Sequence, residues 1–191
     1  MVTDRPPRGA ARRAEYARSD GLASLEVPDG GELRARAAEI EKALAGGATA
    51  PVRAACAGFL ALLAGWYDVP PPGVKVLAAR PLRSREGYSS ELFGDYDLQT
   101  GLIRVWMRTA VQKRVTSFGT FLSTLCHEFC HHLDRARLGL PSTYHTRGFY
   151  ARTAVLYHAA RGTPLKPLAW IARGDGSWQI DWTRMRSPEK G

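Results

Sequence analysis

The sequence predicts an α+β domain, because the spacing of its apolar residues changes twice along the chain. Helical spacing runs through residues 31–66, alternation takes over between Val74 and Arg108, and helical spacing returns from Ser117 to about Ala160. A chain of 191 residues can bury a real core as one domain with tails. We expect a basic, disordered arm over residues 1–20, the folded domain over 21–166 and a tryptophan-rich hairpin or tail over 167–191.

Residues 1–20 are rich in Arg, Pro and Ala and carry almost no large apolar groups, the composition of a segment that cannot build a core. From Gly31, Leu33, Ala37, Ile40 and Leu44 recur on one helical face until Gly46-Gly47 stops it. A second helix, from about Pro51 to Trp66, opens on proline and carries Val52, Cys56, Phe59, Leu60 and Leu63. Pro70-Pro71-Pro72-Gly73 breaks it. Val74, Val76 and Ala78 then mark a short strand, and Leu92–Leu98 and Leu102–Arg108 a hairpin turned by Gln99-Thr100-Gly101. The result is a small, mostly antiparallel sheet of about three strands, with Leu102–Arg108 a candidate exposed edge.

The next helix, about Ser117 to Leu138, has two faces. Phe118, Leu122, Leu125, Phe129, Leu133 and Ala136 form an apolar stripe, while His127, His131 and Asp134 lie on roughly the opposite side. Gly139-Leu140-Pro141 turns the chain, and Ser142, Thr143 or Thr146 caps a further helix that runs to about Ala160. Beyond Pro167, Asp175-Gly176 between apolar residues signals a hairpin bearing Trp170, Trp178 and Trp182, which either fold back on the core or offer faces for stacking bases.

A net charge of +9 favours polyanionic partners such as nucleic acid, although the arginines are spread along the whole chain. Without a run of eighteen apolar residues, no membrane span is expected. The basic start has no apolar core of a secretory signal, and three cysteines do not make a disulfide framework. A cytoplasmic location fits these features.

His127-Glu128-Phe129-Cys130-His131 carries the chemistry. On a helix the two imidazoles, four residues apart, share a face, so both can hold one tetrahedral zinc ion, with Glu128 at the rim as general base and acid for water. Catalytic zinc takes three protein ligands and keeps one position open. His145, just past the turn, is the best third ligand; His158 is its rival, and on a continuous helix it lies about 140° away from His145. His132, Cys126 and Cys130 point about 100° from their ligand neighbours; His132 is expected to be structural or partly exposed, and the cysteines to be small packing residues. Asp134 either orients a ligand imidazole through its ring N–H or forms a surface salt bridge with Arg135 or Arg137. Tyr144, Tyr150, Arg147 and Arg152 are candidates to stabilise an oxyanion.

From Leu92 to Arg161 the chain resembles the SprT-like (Spartan-type) zinc metalloproteases: a strand pair, the His127–His131 motif, then His145-x-x-Gly148-Phe149. In that family the motif helix often reads His-Glu-Leu-Cys-His, and the third histidine begins the next helix, followed closely by glycine and an aromatic residue. The resemblance implies a minimal zincin-like fold, one zinc per chain on His127, His131 and His145, and Glu128 as the catalytic carboxylate. It also implies a protein or peptide substrate, which in some members is crosslinked to DNA. Many members add a cysteine-rich zinc ribbon, whereas here no cysteine follows Cys130. His-Glu-Phe-x-His-His-Leu-Asp is similar as well to the motif of the MtfA-like peptidases. The competing reading is a basic, nucleic-acid-associated binding module whose zinc site is structural or vestigial.

Overall fold

The computed structural model describes residues 1–28, 30–85 and 88–186. Among these residues it holds six helices, a three-stranded sheet and two two-stranded ladders, an α+β architecture. Helices α2 (Gly31–Gly46) and α3 (Thr49–Trp66) pair through the turn at Gly47, which takes the left-handed φ of 71° that ends a helix at low cost. The facing residues are those the periodicity selects: Leu33, Ala37, Ile40 and Leu44 against Val52, Cys56, Phe59, Leu60 and Leu63, all buried. By length and composition α3 could cross a bilayer, with a mean hydropathy of 1.3 over 18 residues. Its large apolar side chains are instead part of the core.

The sheet has the order β1 (Val74–Ala79), β5 (Ile103–Arg108), β4 (Gly94–Tyr96). Strand β4 forms the expected hairpin with β5, with Tyr96 opposite Ile103 and Gly94 opposite Val105. Strand β1 runs parallel to the other side of β5, with Val76 opposite Val105. Three of the four ladders among the described residues are antiparallel. Because β5 is paired on both sides, it is not an exposed edge; the outer strands of this sheet are β1 and the short β4. Periodicity could not reveal this, since it reports which face a residue takes and not which strand lies beside it. Ile103, Val105 and Met107 are fully buried beneath helix α4, as their alternation requires. A further hairpin, β2 (Leu82–Arg85) with β3 (Tyr88–Glu91), has a charged, serine-rich sequence without alternation and was not expected.

Helix α4 (Phe118–Ala136) starts at Ser117, whose hydroxyl accepts the Thr120 N–H. It buries Phe121, Leu122, Leu125, Cys126, Phe129, Cys130 and Leu133. Each of the leucine and phenylalanine side chains contributes about 1.5–3 kcal/mol by leaving water. Phe118 is only half-buried under the Arg161 guanidinium, and Ala136 is exposed because the last turn projects past the core. Helix α5 (Arg147–Arg161) is capped by Thr146 and ended by Gly162 at φ 64°.

The N-terminal segment differs from the expected division of the chain. Residues 1–20 are not disordered: Ala10–Gly21 form helix α1, and residues 1–3 run beside the C-terminal hairpin, where Thr3 N–H donates to Trp178 O at 2.8 Å. Polar tethers rather than apolar burial secure this segment, which is why composition misses it. The C-terminal hairpin is present as β6 (Trp170–Ala172) and β7 (Trp178–Ile180), followed by the short helix α6 (Trp182–Arg186). Trp170 packs on Tyr150 and Trp178 lies under Arg147, whereas Trp182 is exposed.

Candidate metal centre

The spacing of His127 and His131 puts both rings on the face of α4 opposite its buried stripe, and the turn after α4 supplies the third. Gly139 adopts φ 62°, Leu140 N–H returns to Asp134 O at 2.9 Å, and the chain reverses toward α5. His145 stands in the loop one residue ahead of the cap Thr146, rather than on the helix as the resemblance implied. His127 Nε2 lies 3.0 Å from His145 Nε2 and 3.2 Å from His131 Nε2. The three ligand atoms all lie within 4.8 Å of one another and could hold a metal ion. Bonds of about 2.0–2.1 Å in a tetrahedron place ligand atoms about 3.3–3.4 Å apart, close to the two separations from His127.

Phe149, fully buried in the first turn of α5, touches all three rings. Its centroid is 4.9 Å from His127, 4.5 Å from His131 and 5.1 Å from His145. It forms the apolar wall of the cluster and restricts water on that side. Burial lowers the pKa of His127 to about 3 and that of His131 to about 2, with the neighbouring histidines adding to the effect. Both imidazoles are therefore neutral and can offer lone pairs.

The proton of His131 has a defined place. Its Nδ1 is 2.6 Å from Thr143 Oγ1, which donates onward to Asp134 Oδ2 at 3.3 Å. Asp134 Oδ1 accepts from Arg152 Nη2 at 2.7 Å, and both side chains are completely buried. Burial pushes Asp134 up to about 6, against the opposing pull of Arg152 and Thr143. Asp134 thus reaches a ligand ring through the Thr143 hydroxyl and pairs with Arg152, not with Arg135 or Arg137. Nothing local in the sequence marks Thr143, whose φ of 42° is unusual for a β-branched residue.

Glu128 is 5% exposed, and burial, helped by Asp95, raises its pKa to about 8. It lies against β4, where Gly94 leaves the space it occupies. His132 turns away from the cluster: Nε2 is 2.8 Å from Pro70 O and Nδ1 is 3.2 Å from Tyr96 Oη, tying α4 to β4 and to the loop after α3. Cys126 and Cys130 are buried thiols raised by desolvation, Cys130 to about 12, and neither joins the cluster. His158 is at the far end of α5, with Nδ1 2.8 Å from Thr163 Oγ1. Of the four candidates for an oxyanion, Arg147 is engaged by Asp20, Arg152 by Asp134, and Tyr150 donates to Val2 O at 3.0 Å. Tyr144, half-buried beside His145, makes a ring contact with Tyr16.

No protein-family model, curated protein or solved structure matches this chain. The reading of the site rests on its residues and their geometry.

Proposed function

We propose that the chain is a zinc-dependent metallopeptidase with a minimal zincin-like core, as its resemblance to the SprT-like proteases implies. The observation that carries this reading is the convergence of three imidazole rings, two of them on the helix that also bears the buried carboxylate of Glu128. Three nitrogen ligands with a fourth position open are the donor set of catalytic zinc, and imidazole suits zinc better than hard cations such as Mg²⁺ or Ca²⁺. When bound, zinc would supply Lewis acidity that polarises a carbonyl and acidifies water.

The remaining steps belong to the chain. Glu128 accepts a proton from the attacking water and returns it to the leaving amine; the positive charge of a bound metal would offset the burial that raises its pKa and favour the carboxylate. Thr143 and Asp134 hold the His131 proton on Nδ1, which leaves Nε2 free to bind. Phe149 limits water on the inner side. Strand β4, the edge of the sheet beside Glu128, is where an extended peptide can add as a further strand and bring its carbonyl to the site. Tyr144 is the remaining candidate for the developing oxyanion. The free, buried thiols Cys56, Cys126 and Cys130 suit a reducing cytoplasm.

The test is cleavage of casein or a quenched peptide library by the zinc-loaded chain. Wild type should cleave, while Glu128→Gln should lose at least about 100-fold in kcat/KM and keep its zinc. Equal cleavage by both proteins would remove Glu128 from the mechanism.

A second reading has its own observation: Arg8, Arg12 and Arg13 are exposed at and near α1 and add to the +9 charge. It makes the protein a nucleic-acid-associated module with a structural zinc. Salt-sensitive DNA binding unchanged by Glu128→Gln, with no cleavage of any protein, would favour it.

A further inference from the structure

The polar N-terminal segment forms much of the mounting of the third histidine. Asp4 and His145 pair through their backbones, with Asp4 N–H donating to His145 O at 2.8 Å. Asp4 Oδ2 accepts the His145 backbone N–H at 2.8 Å and also lies 3.5 Å from His145 Nδ1. The contacts continue residue by residue. Ser19 Oγ is 3.0 Å from Thr146 Oγ1, and Asp20 accepts from Arg147 N–H at 2.9 Å and from its guanidinium. At Gly148 a Cβ would fall 2.2 Å from Ser19 O and 2.8 Å from Leu22 O, so only glycine admits this approach. Arg152 donates to the carbonyls of Ser19 and Leu22.

The C-terminal hairpin holds the outer part of this segment. Thr3 exchanges two bonds with Trp178, through Thr3 N–H to Trp178 O and Trp178 N–H to Thr3 Oγ1, both 2.8 Å. Ile180 N–H donates to Met1 O at 3.1 Å. Tyr150 Oη donates to Val2 O and Tyr16 Oη to Asp4 O, each at 3.0 Å. The tryptophan-rich hairpin therefore has a mechanical task that its sequence does not announce. It fixes residues 1–4 against the loop that carries His145.

We infer that Asp4 is a positioning residue of the metal centre, its carboxylate holding the Nδ1 proton of His145 so that Nε2 faces His127 and His131. The inference rests on the metal reading above. A neutral imidazole carries one proton, and binding through Nε2 requires that proton on Nδ1, where an acceptor fixes the tautomer and the ring orientation. For His131 the acceptor is Thr143. For His145 the group at hand is Asp4, which approaches from 141 positions away in the chain. Two of the three ligand rings thus have their outer nitrogen beside an oxygen from a different segment.

The experiment uses the full chain, stripped of metal, with zinc affinity measured against a chromophoric chelator and the Co²⁺-loaded protein examined by proton NMR. Asp4→Asn keeps an oxygen for the His145 backbone N–H, so metal-free Asp4→Asn should melt with wild type. It should bind zinc 10–100-fold more weakly. One paramagnetically shifted imidazole N–H should exchange faster with solvent once its acceptor is uncharged, and Asp4→Glu should restore both signal and affinity. Asp4→Asn binding zinc as tightly as wild type, with every N–H signal intact, overturns the inference. So does a loss of affinity together with melting temperature that Asp4→Glu does not recover, which marks a purely structural strap. Wild type that takes up no metal overturns the metal reading, and this inference with it.

Discussion

Gly94 on the edge strand gives way to Glu128 on helix α4. A Cβ built on Gly94 would lie 2.8 Å from Glu128 Oε1, 3.0 Å from Glu128 Cγ and 2.5 Å from Thr124 Cγ2. The absence of a side chain at one position lets β4 sit directly beside the proposed catalytic carboxylate. The strand that would receive substrate and the group that would move its proton are thereby held at contact distance.

Gly94→Ala tests that relationship. Either the strand or Glu128 must shift, at a cost of about 1–3 kcal/mol in stability. Peptide cleavage should fall at least about tenfold, while zinc affinity stays within about twofold because no ligand moves. Thermal melting, cleavage assays and chelator competition measure the three effects. Full activity in Gly94→Ala would show that β4 does not set the position of Glu128.

Thr143 is tested by removing one atom's chemistry while keeping its shape. Thr143→Val loses the hydroxyl between His131 and Asp134, and zinc affinity should fall 10–100-fold. Thr143→Ser should stay within about threefold of wild type, because the same bonds can form. Chelator competition reads both, and equal affinities for Val and Ser would remove Thr143 from the support of His131.

The buried Glu128 carboxyl makes stability depend on pH in the metal-free protein. Its pKa is raised from 4.5 to about 8, so the unfolded chain gives up the proton first. Stability from this group is greatest below about pH 4.5 and is lost as pH climbs through about 8. Glu128→Gln cannot ionise and should gain relative to wild type across that window, reaching about 2–4 kcal/mol at pH 8. Urea melts of both proteins in chelator between pH 5 and pH 9 measure the difference. A difference that does not change with pH would contradict the burial of this charge.

What could be read from the sequence follows from the range of each interaction. The spacing of His127 and His131 fixes their shared face, and the apolar stripe through Leu125, Phe129 and Leu133 fixes the opposite one. The turn at Gly139 made His145 the better third ligand than His158, and the structure brings only His145 to the other two. Contacts between distant, polar residues were hidden. Asp134 was visible as a residue on the ligand face, but its partner Arg152 and its intermediary Thr143 lie beyond the helix. Asp4, Ser19 and Asp20 belong to a stretch whose composition suggests disorder, yet they support the His145 loop. Strand β5 alternates correctly, but alternation does not say that β1 pairs in parallel on its far side and makes it central.

The most direct measurement of the central claim is zinc content per chain for wild type and His145→Ala, purified at neutral pH without chelator. Three converging histidines predict about one tightly held zinc in wild type, and at least about 100-fold weaker binding after loss of the third ligand. Wild type free of zinc and unable to take it up, or His145→Ala binding zinc as tightly as wild type, would contradict the account.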